Sequence, residues 1–164
     1  LKKMKRRYDR EYYEDRVKRI KSNVPDACIG ADVIVGFPGE TEDDFIETYN
    51  FLNELNISYL HVFTYSERSN TGAVEMGERV SKETKADRSK MLHILSDKKQ
   101  RYFHDQFINK NRPVLFENIK NGKIIGHTDN YIKVQVEGGT SLINTIQPVM
   151  MKENHTSLVS GILD

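Results

Sequence analysis

The fold of this chain is decided by residues 29–41, Ile29-Gly30-Ala31-Asp32-Val33-Ile34-Val35-Gly36-Phe37-Pro38-Gly39-Glu40-Thr41. The consecutive apolar residues 33–35 are typical of a parallel strand that is covered on both faces. The glycines and the proline that follow end this strand in a tight turn, where backbone can approach a neighbour or a ligand closely. Thr41 can cap the next helix, and Asp44 three residues later completes a capping box. The stretch therefore predicts a strand, a turn and a helix of an α/β fold.

The turn at residues 36–40 is the expected place for a ligand, because ligands of α/β sheets bind beyond the carboxyl ends of the strands. It is not a standard phosphate loop, since it has neither Gly-Lys-Ser/Thr nor the G-x-G-x-x-G pattern. From the residues alone, a turn shaped by its glycines and proline without a ligand is the simpler interpretation. Asp32 is expected to form a salt bridge or to cap a helix, and Glu40 to bond backbone at the start of the next helix.

Around this stretch the sequence predicts a βαβ unit. A helix over 42–55 is followed by a second buried strand over 59–65, a spacing typical of two parallel strands joined by a helix. An amphipathic helix is predicted before them, over 8–22. A loop over 67–80 leads into a long helix over 81–108. His61, on the second strand, is expected to be a hydrogen-bonded core histidine.

The pattern changes after residue 108. Segments that resemble short strands cover residues 114–116, 123–127, 131–136 and 145–151. Asn121-Gly122 and Glu137-Gly138-Gly139 are turn signals between them. With five short strands expected in about 55 residues, this part predicts a small closed all-β barrel of the OB type. We therefore place one domain at residues 1–108 and a second at 109–164.

The composition indicates a soluble globular protein with an uneven charge. Of the 164 residues, 37% are hydrophobic and 30% are charged, and the net charge is +1. Residues 1–22 hold ten Lys or Arg against four acids and so carry +6, which leaves −5 on the rest. A basic end suggests a polyanion as partner, although a charge run is more often a solvated helix face. No apolar run approaches the ~20 residues of a membrane helix, so no membrane partner is expected.

The cysteine and histidine content argues against a metal site within this chain. Cys28 is the single cysteine, so the chain can form no internal disulfide and no iron–sulfur cluster of its own. The five histidines are scattered without ligand spacing, and no set of catalytic residues can be defended. One cysteine fits a reducing compartment, and we expect the cytoplasm.

Three motifs in this order resemble the radical-SAM tRNA methylthiotransferases. Residues 32–41 are similar to a late strand motif of the catalytic barrel in that family. The basic segment Lys5-Arg6-Arg7-Tyr8 resembles the one that precedes it, and His61-Val62-Phe63-Thr64-Tyr65-Ser66-Glu67-Arg68 resembles the next strand with its exit. The tail resembles the TRAM domain of the family. The sequence of residues 60–63 most resembles the branch of the family that acts on threonylcarbamoyladenosine beside the anticodon of tRNA.

The resemblance implies that residues 1–108 are the last part of a (β/α) barrel and that residues 109–164 are a TRAM-like RNA-binding domain. It implies the use of S-adenosylmethionine and two 4Fe-4S clusters, whose cysteines precede this part of the chain in the family. By matched position, Gly36, Phe37, Phe63 and Ser66 would line the S-adenosylmethionine pocket, although Phe63 fits plain core packing equally well. We expect the chain alone to be inactive and to hold no cofactor tightly.

The expected partners are the anticodon stem-loop of tRNA and the amino-terminal part of the same protein. The candidate RNA-binding residues are the following basic and aromatic ones: Lys5, Arg6, Arg7, Arg68, Arg112, Lys123, His127, Tyr131 and Lys133. An RNA-binding module without catalysis and a scaffold without a ligand remain as alternatives. A half-barrel would also expose a sheet edge and apolar surface, so self-association is expected.

Overall fold

The computed structural model describes Leu1, Met4, residues 6–67, Met76 and residues 78–163. In chain order the elements are α1 (Arg10–Asn23), β1 (Gly30–Val35), α2 (Glu42–Glu54), β2 (Tyr59–Thr64), α3 (Lys82–Asp105), β3 (Asn111–Lys120), β4 (Lys123–Thr128), β5 (Lys133–Glu137), β6 (Ile146–Asn154) and β7 (Val159–Leu163). The chain divides into two compact units, Leu1–Ser96 and Asp97–Asp164. The last turns of α3 thus belong to the second unit, whereas the sequence places the domain boundary after residue 108.

The first unit contains the predicted βαβ arrangement. β1 and β2 lie side by side and run parallel, with Gly30 beside Tyr59 at one end and Val35 beside Thr64 at the other. α2 connects them. Within the described residues the sheet has these two strands, so the wider (β/α) barrel stays a prediction.

One face of this sheet is buried and the other is exposed. Ala31, Val33, Val35 and Leu60 lie in the core. The helices add Val17 from α1, Phe45 and Leu52 from α2, and Leu92 and Leu95 from α3. The alternate residues Asp32, His61 and Phe63 are exposed. The prediction of strands buried on both faces is therefore wrong for the described part, because all three helices contribute to a core on the same face.

The helix starts follow the predicted capping chemistry. At α2 the Asp44 N–H donates to Thr41 Oγ1 at 3.1 Å, and the Thr41 N–H donates to Asp44 Oδ2 at 2.9 Å. This reciprocal pair satisfies two backbone donors that the first turn would otherwise leave open. It fixes where α2 begins, and thereby the length of the turn between β1 and α2.

The second unit is a closed five-stranded barrel with strand order β3-β4-β5-β7-β6. All neighbouring pairs are antiparallel except β5 and β7, which run parallel. The predicted barrel is confirmed, and the alternate residues Ile132, Val134 and Val136 are buried. β7 was not located from the sequence, since its five residues follow a polar segment and show little alternation.

The helices of the described part are amphipathic or polar. Even α3, the longest at 24 residues, is rich in charged side chains. In the parts of the chain that the structure describes, no helix is long and apolar enough to cross a membrane.

Candidate functional site

The exits of β1 and β2 meet at one edge of the parallel sheet. Val35 and Thr64 are register partners, and the Tyr65 N–H donates to the Val35 carbonyl at 2.8 Å. Gly36 follows β1 directly, and Ser66 is the second residue after β2. The residues predicted to line a cofactor pocket are thus brought to one edge, as expected for parallel strands.

Three aromatic rings lie near this edge. The Phe37 ring meets the Tyr65 ring edge to face, with centroids 5.3 Å apart. Phe63 lies on the open face of the sheet and is 52% exposed. The alternative that Phe63 packs in the core is therefore wrong. An exposed ring, a half-buried ring and the exposed Ser66 are chemically suited to contact an adenosine.

The Glu40 carboxylate closes the turn that follows β1. Both of its oxygens accept the Gly36 N–H, at 3.2 and 3.1 Å. Glu40 was expected to bond the start of α2; instead it reaches back to the start of its own turn. The Glu40 carboxylate therefore stabilises the turn over residues 36–40 by a hydrogen bond between its two ends.

Arg88 of α3 binds the same carboxylate. Its Nη1 lies 2.5 Å from Glu40 Oε1 and 3.2 Å from the Glu40 carbonyl, and its Nη2 lies 2.9 Å from Glu42 Oε2. The Arg88 side chain is only 6% exposed. Burial by itself would lower the pKa of Arg88, but the hydrogen bonds to Glu42 and Glu40 raise it above its ordinary value. The two carboxylates therefore favour the charged form of the guanidinium.

Lys85, one turn earlier on α3, touches both strand exits. Its Nζ donates to the Tyr65 carbonyl at 3.3 Å, and its stem occupies the space beside Gly36. A Cβ on Gly36 would lie 2.4 Å from Lys85 Cγ, and the φ of Gly36 is +75°. A neighbouring side chain and the backbone conformation both require glycine at this position.

Sequence reasoning missed both Arg88 and Lys85. A signal for Arg88 was present, because Arg88, Leu92 and Leu95 follow the i, i+4, i+7 spacing of one helix face. A cation on the apolar side of a helix needs a buried anion. Nothing in the sequence says that this anion is Glu40, 48 residues earlier.

Asp32 and His61 are neighbours on the open face of the sheet. They are register partners on β1 and β2, and both are exposed. The His61 ring packs against the Tyr59 ring, with centroids 4.9 Å apart. The prediction of His61 as a core histidine is wrong, because the sheet face on which it lies is uncovered in the described part.

In the barrel, three of the predicted RNA-binding residues come together. His127 on β4 is the register partner of Lys133 on β5, and the rings of His127 and Tyr131 have centroids 5.9 Å apart. Tyr131 is 80% exposed and lies in the left-handed region with φ 67°, at the turn between the two strands. The Nδ1 of His127 is bound to the Glu117 carboxylate.

Apolar side chains extend this group across the outer surface of the barrel. Leu115 on β3 is the partner of His127, and Ile146 on β6 is the partner of Leu115. Both are exposed. Ile146, Leu115, His127 and Lys133 thus form one row over four strands, with Tyr131 at its side. We call these five residues the outer row.

The other predicted RNA-binding residues lie elsewhere. Arg112 Nη2 binds Asp129 Oδ1 at 2.7 Å, and its guanidinium lies 5.1 Å from the centroid of the Phe107 ring, which makes it part of the packing of the second unit. Lys123 lies at the other end of β4 and pairs with Glu137 at 3.3 Å. Their roles in RNA binding stay predictions.

The predicted basic residues of the first unit are only partly described. Arg6 and Arg7 are exposed, while Lys5 and Arg68 lie outside the described residues. Most of the loop predicted over 67–80 also lies outside them.

An iron–sulfur cluster needs several ligand side chains, chiefly cysteine thiolates, within reach of one another. Among the residues that the structure describes, no group of three or more His, Cys, Asp or Glu side chains could hold a metal ion. Cys28 is a free thiol, and burial raises its pKa. The chain therefore does not fit a cluster, since each cluster needs several thiolates.

The known proteins with similar sequences include tRNA methylthiotransferases. This chain is 39% identical over 154 residues to the threonylcarbamoyladenosine tRNA methylthiotransferase of Bacillus subtilis. The aligned region covers 91% of this chain and 34% of that protein. With the enzyme of the same name from Aquifex aeolicus it shares 41% identity over 135 residues, 82% of this chain and 32% of the relative.

A relative that is named for a different modified adenosine is almost as similar. The tRNA-2-methylthio-N(6)-dimethylallyladenosine synthase of Protochlamydia amoebophila is 38% identical over 166 residues, 99% of this chain and 37% of the relative. The chain thus spans about a third of the length of the curated relatives it matches. No protein-family model matches it.

Proposed function

This chain is a homologue of the tRNA methylthiotransferases, and we propose that it forms the carboxyl-terminal region of such an enzyme. The enzyme would replace a C–H bond of a modified tRNA adenosine by a C–S–CH₃ group. The observation that carries the proposal is the identity of 38–41% over 82–99% of the chain. It is supported by the strand exits, which sit at the sheet edge where α/β folds bind ligands.

Within that enzyme the first unit would supply part of the S-adenosylmethionine pocket. Phe63 and Phe37 offer rings to an adenine, and Ser66 offers a hydroxyl near the same edge. S-adenosylmethionine, when bound, would supply the radical chemistry and the methyl group. The two clusters of the family would have to be held by cysteines outside this chain, so we assign no step through them to these residues.

We also propose which branch of the family the enzyme belongs to. Residues 60–63 resemble the threonylcarbamoyladenosine enzymes, and two of the relatives carry that name. We propose this modified adenosine, next to the anticodon, as the substrate. Since the substrate is tRNA, we expect the protein in the cytoplasm.

The barrel would bind the tRNA through the outer row. Exposed rings such as those of Tyr131 and His127 can stack on unpaired bases, and Lys133 can pair with a phosphate. The net charge of residues 105–164 is zero, with six Lys or Arg and six acids. Binding by this domain would therefore depend on stacking more than on charge, with Arg6 and Arg7 adding phosphate contacts from the first unit.

The first experiment is to express the full reading frame that contains this chain in cells that lack the corresponding methylthiotransferase. Mass spectrometry of digested tRNA then measures the methylthio derivative of threonylcarbamoyladenosine. Its appearance supports the proposal. Appearance of the dimethylallyladenosine derivative instead would move the enzyme to the other branch, and no methylthio product at all would refute the proposed activity.

A second candidate, an RNA-binding module without catalysis, is favoured by the outer row itself. The tRNA digest described above separates it from the enzyme, because a module without catalysis forms no methylthio product. Two measurements on the isolated chain test what both candidates share, the absence of a cluster and the binding of tRNA. Stoichiometric iron and sulfide in the purified chain would contradict our expectation that it holds no cluster. Titration with tRNA at 50 and 200 mM salt should show binding that weakens with salt. No binding at the lower concentration would favour a scaffold.

A further inference from the structure

Helix α3 holds the exits of β1 and β2 by two side chains one turn apart. Arg88 binds the Glu40 carboxylate, whose two oxygens accept the Gly36 N–H. Lys85 donates to the Tyr65 carbonyl. The first contact fixes the turn after β1, and the second fixes the residue that follows β2.

These contacts are built into the protein and are not features of a mobile surface. Glu40 is 16% exposed and Arg88 6%, and the guanidinium also lies 5.2 Å from the centroid of the Phe45 ring in the core. Lys85 Nζ lies 5.4 Å from the centroid of the Tyr65 ring, whose edge is against Phe37. A shift that separates Arg88 from Glu40 would leave a buried charge without its partner, which is costly.

The Lys85 stem ties the two exits to each other. It fills the space that a Cβ of Gly36 would need, while its ammonium reaches the Tyr65 carbonyl. One side chain therefore touches both sides of the sheet edge. A change in the position of α3 would move Gly36 and Tyr65 together.

From this arrangement we infer that Arg88 and Lys85 are positioning residues for the cofactor. They set the spacing and shape of the two strand exits, and so the affinity for S-adenosylmethionine, without contacting it. This inference rests on the proposed function of the exits as part of the S-adenosylmethionine pocket. It assigns a role to α3, which no pattern in the sequence connects with the turn.

The test uses the full-length protein with Arg88→Lys or Lys85→Met. Arg88→Lys keeps the charge but loses the planar fork that binds Glu40 and Glu42 together. Lys85→Met keeps a stem of similar length but loses the donor to Tyr65. Each should raise the dissociation constant of S-adenosylmethionine about tenfold, as expected from a small displacement of a binding group. The kcat at saturating S-adenosylmethionine should change much less.

Matched controls come from the same unit. Arg10→Lys alters an arginine in an exposed ion pair, 2.6 Å from Glu47, and Lys90→Met removes an exposed ammonium from α3 itself. Both should leave the dissociation constant unchanged. A general loss of folding would lower kcat and bound cofactor together, in proportion to the folded fraction seen by circular dichroism.

The chemical shift of the Gly36 amide provides a second test, which Glu42→Gln allows even if Arg88→Lys folds poorly. The isolated chain labelled with ¹⁵N should show a shift of the Gly36 amide in Arg88→Lys and in Glu42→Gln, which loosens only the exposed partner of Arg88. An unshifted Gly36 amide, or an unchanged dissociation constant in variants of a protein that binds S-adenosylmethionine, would overturn the inference alone. A full-length wild type that does not bind S-adenosylmethionine would overturn the proposed function as well.

Discussion

Phe63 on β2 lies directly beside Ile34 on β1, on the face of the sheet that the helices leave open. Exposed apolar surface on an open two-stranded sheet favours association with a second copy. We expect the isolated chain to form dimers or larger species in sedimentation velocity at tens of micromolar.

Phe63→Asp should shift this distribution towards the monomer, because it places a charge on the associating face. Ile20→Asp, at an exposed apolar position on α1, is the control and should leave the distribution as it is. A wild-type chain that sediments as a clean monomer would contradict the prediction.

The buried ion pair at Arg88 should contribute to the stability of the first unit. Arg88→Ala leaves Glu40 largely buried without its cation, and we expect the free energy of unfolding to fall by ~3 kcal/mol. Arg10→Ala removes an exposed pair and should cost less than ~1 kcal/mol. Urea unfolding followed by circular dichroism measures both; equal losses in the two variants would show that burial of the pair does not matter.

Tyr131 should carry more RNA affinity than any lysine of the barrel. Tyr131→Ala is expected to cost ~1–3 kcal/mol of binding to a single-stranded RNA, the usual contribution of one stacked base. Tyr102→Ala, at a similarly exposed tyrosine on α3, should have no effect in the same fluorescence titration.

Lys133 should act differently, through a phosphate. Lys133→Ala should weaken binding for all sequences and reduce the slope of log K against log salt by about 1. If the slope is unchanged while the affinity falls, Lys133 contacts a base or supports the fold instead.

Gly126 on β4 should be essential for barrel closure. A Cβ there would lie 2.0 Å from the backbone oxygen of Leu115, which cannot move without disturbing the pairing of β3 and β4. Gly126→Ala should therefore destabilise the chain by at least ~1–3 kcal/mol. Gly139→Ala is the control, because a Cβ there would lie 3.9 Å from its nearest neighbour atom, Ser141 Oγ. Equal losses of melting temperature in the two variants would contradict the packing argument.

His104 should make the second unit less stable in acid. Burial lowers the pKa of His104 below 6.5, although Asn154, Asp105 and the backbone at Thr156 oppose the shift. As the pH falls through about 6.5, His104 is protonated in the unfolded chain while it stays neutral in the folded chain. The free energy of unfolding therefore falls. The loss is complete once the pH is below the pKa of the folded state.

The measurement is the melting temperature between pH 7.5 and 5. His104→Gln should flatten this dependence, whereas His93→Gln, at an exposed position, should leave it as in the wild type. Parallel curves for all three proteins would show that His104 does not titrate as argued.

Local chemistry explains why much of the fold could be predicted. Thr41 caps α2 as expected, and Asp9 caps α1, since a cap depends on residues within one turn. Ile132, Val134 and Val136 alternate in the sequence, and all three are buried in the barrel. β7 could not be located, because its five residues show little of the periodicity that indicates a strand.

The sequence by itself determined the elements other than β7, the closed barrel and the resemblance to an enzyme family, because these depend on neighbouring residues and on short motifs. The tertiary structure alone decided which sheet face is open, which side chain closes the turn, and which predicted residues meet in the outer row. Arg88 and Glu40 are 48 residues apart, and His127 meets Leu115 only through strand register. Such contacts arise from packing between distant segments, and no local pattern encodes them.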